Sequence, residues 1–88
     1  MLRKSLIIDS KDNVAVLLEK AEPNDCITIN GEEIILLHPV EFAHKVAIKD
    51  LRSEDIVFKY GEEIGYMLED APKGSWIHNH NMGCRRGQ

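Results

Sequence analysis

Short runs of β-branched and other apolar residues alternate with clusters of Asp, Asn, Ser, Gly and Pro along almost the whole chain, and this punctuation constrains the fold more than any other feature. Leu6-Ile7-Ile8 gives way to Asp9-Ser10-Lys11-Asp12-Asn13. Val14, Val16 and Leu18 then alternate with Ala15 and Leu17, a period-two pattern apolar on both faces, although Ala15 to Ala21 can also be written as a two-turn helix. Pro23-Asn24-Asp25 breaks that run. Ile27 and Ile29 lead into Asn30-Gly31, the strongest hairpin signal in the chain, and Ile34 to Leu37 is the return strand. Val46-Ala47-Ile48, Ile56-Val57-Phe58, Ile64 to Leu68 and Trp76-Ile77 complete the set. About eight short strands with turns roughly every 8–12 residues predict a compact all-β domain.

A weak internal repeat supports this reading. Lys20 to Ile27, Asp50 to Val57 and Asp70 to Ile77 each run from a charged residue through a polar turn into a β-branched or aromatic pair. Each predicts a connection that rises to a tight turn and drops into a strand. With 88 residues the chain has room for one small core, removing roughly 60–65% of the unfolded surface from water. We place the domain at residues 1–82 and read 83–88 as a polar, glycine-bearing tail expected to be disordered.

Charge and hydropathy exclude several classes. A formal charge of −4 with no basic stripe argues against nucleic acid. The longest apolar runs, such as Ile34-Ile35-Leu36-Leu37, are too short to cross a bilayer, and the N-terminus shows no secretory signal. A cytoplasmic protein with reduced thiols is expected. Cys26 reads as a small core residue and Cys84 as an exposed one; neither is assigned a role.

Chemistry concentrates in three places. Trp76-Ile77-His78-Asn79-His80-Asn81-Met82 carries two histidines at alternate positions, which an extended strand would project from one face roughly 6.5–7 Å apart. Two imidazoles at that spacing can close on one metal ion or one anion. His44-Lys45 lies just before a strand, and Lys59-Tyr60 just before a glycine turn. Lysine offers a point charge for a carboxylate, tyrosine a directional donor, and histidine an acid, base or ligand near neutral pH. Gly61 and Gly65 are expected at positive-φ turn positions, and His38-Pro39 as a loop start without a ligand role.

In order, Asp12-Asn13-Val14-Ala15-Val16, His44-Lys45-x-Ala47-Ile48, Lys59-Tyr60-Gly61-x-x-Ile64-Gly65 and Ile77-His78-x-His80-Asn81-Met82 resemble the small SAF-type domain of the altronate/galactarate dehydratase family. The resemblance covers about residues 6–82 and implies a β-clip fold. Two turn glycines of the family pattern are replaced here, by Ala43 before His44-Lys45 and by Glu54 before the strand that leads to Lys59-Tyr60-Gly61. Family enzymes carry this domain at the front of a longer chain or as a small subunit, so a large subunit or C-terminal domain is the implied partner.

The implied reaction is dehydration of a sugar acid to a 2-keto-3-deoxy acid, with Fe2+ or Mn2+ as the implied cofactor. The proton beside a carboxylate is very weakly acidic, so a cation must stabilise the developing charge while a base and an acid move protons. On this chain the resemblance implies His78, His80 and His44 as metal ligands, with His44 and His80 also in proton transfer. Lys45, Lys59, Tyr60 and Asn81 would hold the substrate. Two other readings share the residues: a non-catalytic sugar-acid-binding module, in line with a further likeness to type III antifreeze proteins, and the small subunit of a sulfolactate lyase.

Overall fold

Two dipeptides lay out the chain. Asn30-Gly31 (φ 51° and 83°) and Tyr60-Gly61 (φ 57° and 78°) both place two successive residues in the left-handed region, the signature of a two-residue hairpin turn matched to strand twist. The computed structural model describes residues 1–84 as strands and connections without a helix. The strands are β1 (Ser5–Leu6), β2 (Val14–Leu17), β3 (Cys26–Ile29), β4 (Glu32–Ile35), β5 (Lys45–Ala47), β6 (Ile56–Lys59), β7 (Glu62–Met67), β8 (Trp76–Ile77) and β9 (Met82–Gly83). The all-β expectation holds. Asn30-Gly31 joins β3 to β4 and Tyr60-Gly61 joins β6 to β7, while β9 adds a third strand beside β7. A central antiparallel sheet runs in the order β1-β2-β5-β8.

The repeat is real and has four copies. Turns at Glu22–Asp25, Glu41–His44, Arg52–Asp55 and Pro72–Ser75 are each closed by the fourth N–H donating to the first carbonyl, at 2.9–3.1 Å. In each the third residue has positive φ: Asn24 75°, Ala43 70°, Glu54 78° and Gly74 93°, which defines a type II turn. The turns are tied in pairs by the bridges Ala21↔Val40 and Leu51↔Ala71. The chain is therefore two similar halves, each a turn, a hairpin and a second turn, and β5 and β8 follow the second turn of their halves. These two strands meet antiparallel through Lys45↔Ile77 and Val46↔Trp76.

Alternation along the central strands divides the core. Ala15, Leu17 and Val46 join Ile27, Ile34, Leu36 and Val40 in one cluster. Val14 and Ala47 join Leu51, Val57, Met67, Ala71 and Ile77 in the other. Each fully buried Ile or Leu contributes about 2 kcal/mol relative to exposure.

Several expectations need correction. Ala15 to Ala21 is not a helix, because hydrogen bonds to β1 and β5 capture its backbone. The first hairpin's return strand begins at Glu32, not Ile34. Gly65 has no positive φ; its Cβ would lie 2.1 Å from the Gly83 carbonyl oxygen, so it is a close-approach glycine. Gly83, placed in the tail by the sequence reading, is paired with Tyr66 in β9. Residues 85–88 of the predicted tail lie outside the described residues.

Candidate functional site

The site grows out of the β5–β8 pair. Trp76 is half-buried and its body packs on the first core cluster. All four histidines of the chain contact this one tryptophan. His38 Nδ1 accepts the Trp76 backbone N–H at 3.1 Å, and His44 Nδ1 accepts its indole N–H at 3.2 Å. The His44 and Trp76 rings lie within 12° of coplanar with centroids 5.9 Å apart. His78 lies nearly parallel to both, 4.9 Å from His44 and 5.1 Å from Trp76. His80 packs against Trp76 at 4.9 Å, tilted by 38°. Such ring separations are those of favourable offset contacts.

His78 and His80 do not lie on an extended strand. β8 ends at Ile77, and the chain turns where Asn81 and Met82 donate their N–H groups to the His78 carbonyl at 3.1 and 2.9 Å. Asn81 makes the turn. Its Oδ1 accepts the His78 N–H at 2.9 Å and its Nδ2 donates to the Trp76 carbonyl at 3.0 Å. The side chain, expected from the sequence to hold substrate, is buried inside the turn, where both its amide atoms hold the segment that carries the histidines.

Lys45 is half-buried, and burial and then the neighbouring Lys59 push its ammonium pKa down. His78 is also pushed down, by burial first and then by His44, Lys45 and His80. Among the described residues neither Lys45 nor Lys59 is in an ion pair. The Lys59 ammonium lies 5.2 Å from the Tyr60 ring centroid, within cation–π range. A chain of net charge −4 thus brings Lys59 near Lys45, and Lys45 near His78, a local concentration of positive charge that favours an anion.

The hairpin bearing Lys59 and Tyr60 is held by Asp12 and Asn13. Asp12 Oδ1 accepts the Gly61 N–H at 2.7 Å, and its Oδ2 accepts those of Ile8 and Asp9 at 3.0 and 3.2 Å. Asn13 bridges the irregular step between Val57 and Phe58, donating to the Ile56 carbonyl and accepting the Phe58 N–H, both at 2.8 Å. Sequence reasoning placed these residues in a motif without a task. Trp76 reads there only as a strand residue and His38 only as a loop start without a ligand role; a lone tryptophan two residues before a histidine was the signal for their contact.

The donors do not make a metal centre by themselves. Among the described residues no three His, Cys, Asp or Glu side chains converge as ligands, and His44 Nδ1 is already an acceptor. His44, His78 and His80 share a face without forming the three-ligand set expected for Fe2+ or Mn2+.

The sequence profile of the altronate/galactarate dehydratase SAF domain matches residues 3–85. This chain belongs to that family. The SAF domain is 35% identical over 74 residues to altronate dehydratase of Escherichia coli K12, a match covering 84% of this chain and 15% of that protein. It is 40% identical over 74 residues to galactarate dehydratase (L-threo-forming) of the same strain, covering 80% and 13%. It is 45% identical over 47 residues to (2R)-sulfolactate sulfo-lyase subunit alpha of Paracoccus pantotrophus, covering 53% and 70%. The SAF domain therefore spans about one seventh of these dehydratases. No helix of the structure is long and apolar enough to cross a membrane.

Proposed function

We propose that this SAF domain forms one wall of the substrate site of a hydro-lyase acting on altronate- or galactarate-like sugar acids, with a larger domain or subunit closing the other wall. The observation that supports it most is the approach of Lys59 to Lys45 and of Lys45 to His78, two lysines with no ion pair among the described residues. Neutralising a carboxylate makes the adjacent C–H more acidic, the first requirement of dehydration. Lys45 and Lys59 meet the carboxylate, with the Tyr60 hydroxyl as a directional donor. His80, exposed at the rim, serves proton transfer, and His44 faces the same ligand.

Among the described residues no three ligands converge, so we assign the divalent ion expected from the sequence to the larger domain. Exposed Leu37 and Leu68 flank the histidine turn, since Leu37 N–H bonds Gly74 and Leu68 N–H bonds Asn81. They offer that domain an apolar rim.

The test is formation of a 2-keto-3-deoxy acid from altronate or galactarate by the chain assembled with its larger domain. His80→Ala and Lys45→Ala should each abolish turnover while leaving the SAF domain folded; turnover unchanged in both would overturn the reading. The 45% identity and 70% coverage of the sulfo-lyase subunit favour a second reading, in which the same face takes sulfolactate. A sulfonate and a carboxylate both suit the lysine pair. Turnover of (2R)-sulfolactate and not of the sugar acids would select it.

A further inference from the structure

Both hydrogen bonds that Trp76 donates to histidine end on Nδ1: indole to His44 at 3.2 Å, backbone to His38 at 3.1 Å. An N–H donates only to a ring nitrogen that carries a lone pair, so the proton of each neutral imidazole sits on Nε2. For His44 the arrangement is closely defined. Its ring is within 12° of the indole plane, as an edge-to-edge N–H···N bond requires, and His78 lies across the pair at 4.9 and 5.1 Å. A histidine bound to a metal gives a lone pair from one nitrogen and donates N–H from the other. His44 cannot do so while its Nδ1 accepts from the indole.

We infer that Trp76 is a positioning residue that fixes His44 in the Nε2–H tautomer, so that His44 offers a hydrogen-bond donor to an oxygen of a bound acid and neither a metal-binding lone pair nor a base. The tautomer stands on the two hydrogen bonds and the ring geometry. The use of that donor toward a sugar acid rests on the function proposed above.

The experiment is a long-range 1H–15N correlation of the labelled chain at pH 8, where neutral imidazole tautomers are distinguished directly. The expected result is a protonated Nε2 and an acceptor-type Nδ1 at His44. In Trp76→Phe, which keeps a ring but loses the N–H, His44 should relax to a mixture of tautomers. A protonated Nδ1 at His44 in the wild type overturns the inference whether or not the variant folds, as does an undisturbed Nε2–H tautomer in a folded Trp76→Phe. Added Zn2+ should leave the His44 nitrogens unmoved, and a metal-ligand shift there overturns it too. Galactarate should shift the His44 Nε2–H; no shift with the tautomer intact counts against the sugar-acid reading and not against the tautomer.

Discussion

Four equivalent turns carry four different residues at the same strained position, which gives an internal series for testing the fold. A residue with a Cβ held in the left-handed region costs about 1–2 kcal/mol, and returning glycine to the unfolded chain gives back about 0.5–1 kcal/mol of that gain. Ala43 at φ 70° and Glu54 at φ 78° should therefore each gain about 0.5–1 kcal/mol when replaced by glycine. Asn24, at φ 75°, tolerates this region, so Asn24→Gly should change little. Gly74 runs the other way. A Cβ there would lie 2.1 Å from the Ile35 carbonyl oxygen at φ 93°, and Gly74→Ala should lose about 3 kcal/mol from strain and crowding together. Urea unfolding followed by circular dichroism reads the series. At a slope of about 1 kcal/mol/M the midpoint rises by about 0.5–1 M for each stabilising change. Ala43→Gly and Glu54→Gly lie in different halves and should add. Midpoints that stay or fall in both variants, or an equal gain for Asn24→Gly, would refute the argument.

Removing the Asn13 side chain in Asn13→Ala leaves the Ile56 carbonyl and the Phe58 N–H without their partner; we expect a loss of about 2 kcal/mol and faster amide exchange at Phe58, measured by hydrogen–deuterium exchange. Tyr60→Asn should stabilise the second hairpin by about 0.5–1 kcal/mol, because asparagine suits a left-handed position better than an aromatic residue, while weakening retention of a sugar acid in a calorimetric titration. The Asp25 carboxyl is held at about 2, below its usual 3.8, by the Glu22 N–H and then by Arg3. Asp12 is also held down: burial pushes it up, but the N–H groups of Gly61, Ile8, Asp9 and Tyr60 outweigh it. A depressed carboxylate stabilises the fold above its unfolded pKa and loses that contribution as pH falls through the folded value. The urea midpoint should therefore drop between about pH 4 and pH 2, less so in Asp25→Asn; a flat midpoint across that range would contradict the assignment.

The strands were legible because their signals are local. Alternation at Val14 to Leu17 and the dipeptide Asn30-Gly31 each specify backbone geometry without help from distant residues. The fourth turn was hidden because Glu41-Phe42-Ala43 contains no turn-forming residue. It is imposed by a tertiary bond from the Ala43 N–H to the Leu17 carbonyl. The run Trp76 to His80 alternates like a strand, yet the Asn81 carboxamide, three residues ahead, captures the His78 N–H and folds the segment over. The residue types of the candidate site could be named from motifs. The meeting of Lys45 with Lys59 depends on hairpin docking through Asp12 and Asn13, and that of four histidines with one tryptophan on the pairing of β5 with β8 and the turn at Asn81, none of which spacing along the chain encodes.

The meeting of β5 and β8 has an evolutionary consequence. Lys45 and Trp76 occupy corresponding places, each the first strand residue after the second turn of its half. Two identical half-chains pairing about the same axis would put the same side chain in both places, since a self-complementary interface repeats every contact. Joining the halves into one polypeptide frees the two slots to diverge, a cation in one and an aromatic plate in the other. That unlike pair is thus something that a symmetric ancestor of half the length could not have displayed.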